Sequence, residues 1–189
     1  MENLNYYLKR ARDKKQAIGH FNFATEDVLK VIIEGAKEAG AEVELVLLKD
    51  KNIKHCDGCM ACEATGTCHV DDDMPGILRK VLYADALALG TPNYFNNVSG
   101  LMKDFIDRIN PYWESEKIKG KKAAIVCVGS EEEGSLGHCR DALIEFAEIC
   151  KMRVVGTILA QAKTPGEAAQ NEKIMQECFE LGRKISAER

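Results

Sequence analysis

No stretch of the 189-residue chain approaches the ~20 consecutive apolar residues that a membrane-spanning helix needs. The N-terminus has no apolar signal-peptide core. Basic residues are not in excess: 26 Lys and Arg stand against 30 Asp and Glu, and the net charge of −4 is dispersed over the chain. Neither nucleic acid nor an anionic membrane is therefore an expected partner. The first fifteen residues are locally basic (Lys9, Arg10, Arg12, Lys14 and Lys15 against Glu2 and Asp13), the pattern of a solvated helix face. Repeats, low-complexity segments and linkers are also missing. What remains is long enough, and at 46% hydrophobic apolar enough, for one α/β domain over residues 1–189 with a full core. A cytoplasmic location follows by default, and there free thiols persist while disulfides are rare. Eight cysteines in such a chain call for a metal, a core role or a redox role.

Strand and helix signals alternate along the chain. Leu4, Tyr7, Leu8 and Ala11 mark a short amphipathic helix over 2–14, and 17–23 reads as a first strand. Thr25 reads as the N-cap of a helix that buries Val28, Leu29, Ile32, Ile33 and Ala36 and stops at Gly40. A second strand is expected over 43–48 and a helix from Pro75. A third strand, 86–90, has the unbroken apolar character of a parallel strand buried on both faces. Ser99 opens a helix whose core face is Leu101, Met102, Phe105, Ile106 and Ile109. A fourth strand over 123–128, a helix over about 137–150, a fifth strand over 154–159 and a helix from about 167 complete the pattern. Five alternations predict a single five-stranded parallel sheet covered on both faces. Ligands of such sheets bind beyond the carboxyl ends of the strands.

Two loops carry chemistry. Cys56, Cys59, Cys62 and Cys68 fall within thirteen residues, spaced C-x2-C-x2-C-x5-C, with Gly58 and Gly66 to let the chain bend. Zinc sites usually split their ligands into two separated pairs, whereas a consecutive C-x2-C-x2-C run resembles those that hold iron–sulfur cubanes. A [4Fe-4S] cluster, zinc, and unmetallated thiols or disulfides all stay open on spacing alone. Cys127, Cys139, Cys150 and Cys178 fall in strands or on apolar helix sides and read as core filler. The second loop runs from Thr91 through Pro92, Asn93, Tyr94, Phe95 and Asn96 to Ser99. Amides and Asn side chains there can hydrogen-bond the edge of a planar ring while Tyr94 and Phe95 cover its face. A Thr-Pro turn with a Ser99 N-cap is the structural alternative.

From about Glu34 onward the chain resembles the NADPH-dependent FMN reductase-like flavoproteins of flavodoxin-like fold, and more narrowly their iron–sulfur flavoprotein branch. The four cysteines, the Asp71-Asp72-Asp73-Met74 run after them and the Thr91–Arg108 block carry the likeness, and Gly129, Ser130 and Gly134 match the family's third loop. The resemblance implies a flavodoxin-like three-layer sandwich, here with an extra N-terminal helix. It further implies FMN at the strand ends, a [4Fe-4S] cluster on the four cysteines, NAD(P)H or another small electron donor, and a homo-oligomer.

The first loop departs from that pattern. Where the family has a Gly-, Ser- and Arg-rich turn around the FMN phosphate, this chain has Glu26 and Asp27 at the helix start and no Lys or Arg between 16 and 29. A phosphate needs free N–H groups in neutral or positive surroundings. Residues 1–40 resemble the opening of class II fructose-bisphosphate or tagatose-bisphosphate aldolases, which are TIM barrels. The aldolases' histidine zinc site has no counterpart, so aldolase activity is not expected. Two readings follow: an FMN- and cluster-dependent oxidoreductase, or a chimeric flavodoxin-like scaffold with impaired FMN binding and no turnover.

Overall fold

The structure, a computed structural model, describes residues 23–164 and 166–187. Three strands, β1 (Ala86–Pro92), β2 (Lys122–Gly129) and β3 (Arg153–Gln161), form a parallel sheet in the order 1-2-3. The β1–β2 register runs from Ala86 opposite Lys122 to Pro92 opposite Val128. β2–β3 pairing begins at Lys122 and Arg153, with one irregularity between Ala123 and Ala124. All seven residues of β1 are buried, as its unbroken apolar run predicts.

Among the described residues six α-helices accompany the sheet: α1 (Phe23–Glu38), α2 (Ala61–Thr65), α3 (Met74–Tyr83), α4 (Gly100–Arg108), α5 (Glu133–Ile149) and α6 (Glu172–Ser186). Alternating strand positions feed two cores. Leu87, Leu89, Ile125 and Cys127 pack with α3, α4 and α5. Ala88, Ala124, Val126 and Ile158 face α1 and α6 through Val28, Leu29, Ile32, Cys178, Leu181 and Ile185. This is a helix–sheet–helix sandwich with two buried layers. The α1–α6 contact is very close: a Cβ on Gly182 would sit 2.1 Å from the Ile32 carbonyl oxygen, and one on Gly35 2.1 Å from that of Phe179.

The expected five strands become three among the described residues. Residues 2–14 and 17–22, holding the expected N-terminal helix and most of the first strand, lie outside them, and Phe23 already belongs to α1. The 43–48 segment keeps strand-like alternation, with Val46 and Leu48 in one core and Leu47 against the other, but among the described residues it joins no ladder, and Leu48 already opens a 3-10 turn.

Smaller corrections have local causes. Thr25 is fully buried inside α1 rather than capping it. α6 starts at Glu172, because Asn171 supplies the cap by accepting from the Ile174 N–H at 3.1 Å. Before it, Glu167 folds back onto the Lys163 and Thr164 N–H groups at 2.7 and 2.9 Å. α5 begins at Glu133, one turn earlier than expected, and Leu136 in that turn is already buried. On α4, Met102, Phe105 and Ile109 are buried as expected, but Leu101 is exposed and Arg108 is buried in its stead. Cys127, Cys139, Cys150 and Cys178 are all core residues.

Candidate functional site

Two loops flank α4, one at each end. At its N-terminus lies the loop that leaves β1. Thr91 is fully buried and its Oγ1 accepts from the Ser99 N–H at 3.0 Å. Ser99 caps α4 by accepting from the Met102 N–H at 3.2 Å. Between them Asn93 N–H donates to the Val128 carbonyl at 2.8 Å, tying the loop to the end of β2. Tyr94 and Asn97 exchange backbone hydrogen bonds of 3.0 and 3.1 Å. The turn they close puts Phe95 (φ 52°) and Asn96 (φ 59°) in the left-handed region. Asn tolerates that conformation; a bulky Phe is an outlier there. Phe95 is also fully exposed, at 104%, and Tyr94 is half exposed.

The ten residues expected to bind a flavin are partly drawn together. Asn93 Nδ2 donates to Ser135 Oγ at 3.1 Å, and Ser135 Oγ donates to Asn96 Oδ1. Asn93 Oδ1 is buried and has no hydrogen-bond partner among the described residues. Gly129 lies directly beneath: a Cβ there would meet Asn93 Cβ at 3.0 Å and Leu136 Cδ2 at 2.9 Å. The Ser130 carbonyl accepts from Gln161 Nε2 at 3.1 Å. Gly134 stands in open space in the first turn of α5. Ser135, which the sequence reading missed, makes the contact to the first loop instead. Pro92 ends β1 and brings the chain to this junction. A planar ring with an imide N–H would supply the donor that Asn93 Oδ1 lacks, so these residues fit a flavin edge.

At the other end of α4 lies the cysteine loop. Left-handed residues at Gly58, Met60 and Gly66 fold the chain around the short helix α2. As a result Cys56, Cys59, Cys62 and Cys68 line one small cavity, together with Asp57, His69, Val70 and Asn110. Cys56 and Cys59 are exposed; Cys62 and Cys68 are half-buried. Asn110 Nδ2 donates to Cys62 Sγ at 3.3 Å. Asp57 accepts from the Cys59 N–H at 3.1 Å and sits 2.9 Å from His69 Nε2. Bonds from Cys59, its thiol first and then its N–H, with a smaller part from His69, hold the Asp57 carboxyl below its ordinary value. A backbone bond from Ala61 favours the Cys59 thiolate, yet the Asp57 carboxylate and burial together raise its pKa. One ligand atom from each of Asp57, Cys59 and His69 lies within 4.8 Å of the others, the one such group among the described residues, so these three stand closer to sharing an ion than the four thiols do. Four converging thiols with an N–H donor on one sulfur fit a metal or iron–sulfur centre.

The loop's base is tied shut. Asp72 accepts from the backbone N–H of Lys54 and of Met74, both at 2.9 Å. It also takes two bonds from the Arg108 guanidinium, 2.6 Å to Nη1 and 3.2 Å to Nη2. Arg108 Nη1 donates in addition to the Lys54 carbonyl at 2.8 Å. The two side chains are 1% and 0% exposed. Burial opposes ionisation of Asp72, but the bonds from Arg108, Lys54 and Met74 outweigh it and hold its carboxyl below the usual range. Next to this pair, Asp73 accepts from the Asn52 N–H at 2.8 Å. His55 lies 2.6 Å from Asp104, whose hydrogen bond and charge raise the imidazole pKa.

At the start of α1 the two carboxylates expected to repel a phosphate are matched by cations. Glu26 lies 3.4 Å from Lys30 and 3.5 Å from Lys49, and Asp27 lies 3.7 Å from Lys30. No described helix is long and apolar enough to cross a membrane.

Residues 22–165 match the sequence profile of a family described as NADPH-dependent FMN reductase. The match begins upstream of Glu34 and includes α1. An iron-sulfur flavoprotein of Methanocaldococcus jannaschii is 29% identical over 167 residues, spanning 84% of this chain and 86% of the relative. Two iron-sulfur flavoproteins of Archaeoglobus fulgidus are similar as well. One is 48% identical over 121 residues, 64% of this chain and 60% of its own; the other is 32% identical over 163 residues, 84% and 71%. Among solved structures, the NAD(P)H:quinone oxidoreductase from Methanothermobacter marburgensis superposes with a TM-score of 0.74 at 17% identity. The superposition covers 93% of this chain and 97% of that one, a likeness of fold.

Proposed function

The chain belongs to the NADPH-dependent FMN reductase family, and within it we propose an FMN- and iron–sulfur-dependent oxidoreductase that takes electrons from NAD(P)H or another small donor. One observation carries this reading: the loop suited to a flavin edge and the loop with four converging cysteines stand at opposite ends of the nine-residue helix α4. A helix of that length spans about 14 Å, which sets the scale between the two sites.

Bound there, the cofactors would supply the redox chemistry, two-electron exchange with a nicotinamide and single-electron exchange onward. The protein's part is to bind, orient and exclude water. Thr91, Pro92 and Ser99 fix the ends of the flavin loop, and Asn93, Asn96 and Ser135 offer its polar edge. Tyr94 and Phe95 cover the ring, while Gly129 and Ser130 leave room on the side of β2. Cys56, Cys59, Cys62 and Cys68 hold the [4Fe-4S] cluster, with zinc as the competing occupant. Trp113 and Ile149, exposed apolar side chains that line one open groove, support a homo-oligomer. Light scattering tests that assignment, and a monomer at all concentrations overturns it.

The second reading, a scaffold with an aldolase-derived N-terminal segment and weakened FMN binding, draws on residues 20–27. Glu26 and Asp27 occupy the first turns of α1, where a phosphate would bind. Their pairing with Lys30 and Lys49 reduces the charge opposing it. An FMN titration of purified protein separates the two readings: saturable binding with bleaching on NADPH supports the enzyme, and indifference to excess FMN supports the scaffold.

A further inference from the structure

The cysteine loop is anchored from one place. Arg108 is the last residue of α4, and Asn110 follows it in a 3-10 turn. Arg108 engages Asp72 with two prongs and the Lys54 carbonyl with one, so it joins the two chain segments that meet at the loop's neck. Asn110 reaches the cavity itself and bonds Cys62. Arg108 Nε is buried without a hydrogen-bond partner among the described residues. A buried guanidinium that leaves one donor unused is held by geometry rather than by full satisfaction, and surface charge networks do not explain such a placement. Cys62 and Cys68 are half-buried, Cys62 bonded by Asn110 and Cys68 in contact with the Arg108 guanidinium, whereas Cys56 and Cys59 are exposed.

We propose that the C-terminal end of α4 is the positioning element of the metal site: Arg108, acting through Asp72, closes the loop before metal arrives, and Asn110 sets Cys62. The four thiols then divide into a preset inner pair, Cys62 and Cys68, and an outer pair, Cys56 and Cys59, that completes the site on loading. Arg108 touches no substrate; it acts through the loop it closes and through its own contact with the Cys68 thiol. A lysine cannot replace it, since a point charge lacks the planar fork that spans Asp72. The same helix carries Ser99 as its N-cap, so the neck of the metal loop and the flavin loop are fixed to one rigid body. This inference rests on the metal reading of the four cysteines.

The metal-free protein tests it through its own thiols. Pulse alkylation with a neutral reagent, read by mass spectrometry residue by residue, should label Cys56 and Cys59 quickly and Cys62 and Cys68 slowly. Burial pushes the Cys150 thiol up to about 11 and that of Cys178 up to about 12. With Cys127 and Cys139 these buried thiols report unfolding. In Arg108→Lys, which keeps the positive charge, the inner pair should label about tenfold faster while the core cysteines stay protected. Asn110→Ala should release Cys62 alone. Titration with Co2+ should show affinity lower by about 10–100-fold in Arg108→Lys, the usual effect of losing a residue that orients metal ligands. Should the core cysteines of Arg108→Lys label too, Asp72→Glu, which keeps both charges and displaces the carboxylate by one methylene, is read on the same criteria. A folded variant whose inner thiols label at the wild-type ratio overturns the proposal. A wild-type protein that takes up no Co2+ counts against the metal reading, while the labelling ratios decide the positioning role by themselves.

Discussion

Replacing Asp72 by Asn removes one charge from a pair whose side chains are 1% and 0% exposed. The Arg108 cation stays buried, and the new amide turns an N–H group toward it or toward the backbone donors of Lys54 and Met74. Breaking a buried pair in this way costs about 3–5 kcal/mol. With a urea slope of about 2 kcal/mol/M for a chain of this size, the midpoint should fall by roughly 1.5–2.5 M. The pH dependence has a definite sign. The folded carboxyl has a lowered pKa. Its contribution is therefore present above the unfolded value of about 3.9 and is lost as pH falls below that toward the folded value. The gap between wild type and Asp72→Asn should be full at pH 7 and shrink below about pH 4. Urea titrations at both ends of that range decide it. A gap under about 1 kcal/mol at pH 7, the size of an exposed pair, would refute the clasp. So would a gap of equal size at pH 7 and pH 3.

Three further substitutions probe other parts of the account. Gly182→Ala drives a Cβ into the Ile32 carbonyl across the α1–α6 contact and should destabilise the fold by about 1–3 kcal/mol; an unchanged urea midpoint would show that the two helices can move apart freely. Phe95→Asn relieves a left-handed bulky residue and should add about 0.5–1 kcal/mol of stability. Calorimetry and FMN titration together check it, because the same change should weaken flavin binding; tighter binding would remove Phe95 from the site. Gly129→Ala crowds Asn93 and should lower FMN affinity by about tenfold, and equal affinity would place the ring elsewhere.

The sequence made the layered α/β architecture legible because its strands are short apolar runs and its helices carry clear stripes. Ser99 was readable as a cap, and Cys127, Cys139, Cys150 and Cys178 as core, from local pattern alone. The cysteine spacing likewise showed that the four thiols could converge. What stayed hidden depends on contacts distant along the chain. Asp72 and Arg108 are 36 positions apart, and no local rule joins them. Arg108 did leave one signal: it stands three residues after Phe105, on the buried side of α4, where a charge demands a partner. Ser135 left none, since its contacts to Asn93 and Asn96 arise only when the start of α5 folds against the loop that follows β1. The 43–48 segment shows the converse limit. Its alternation predicts faces correctly, while pairing requires a neighbour that alternation does not specify.

Anaerobic purification followed by iron, sulfide and flavin assays with a visible spectrum tests the two-cofactor reading most directly. About four iron and four sulfide per chain are expected, with resolved flavin bands that bleach on adding NADPH. A colourless protein without iron, indifferent to excess FMN, would contradict it.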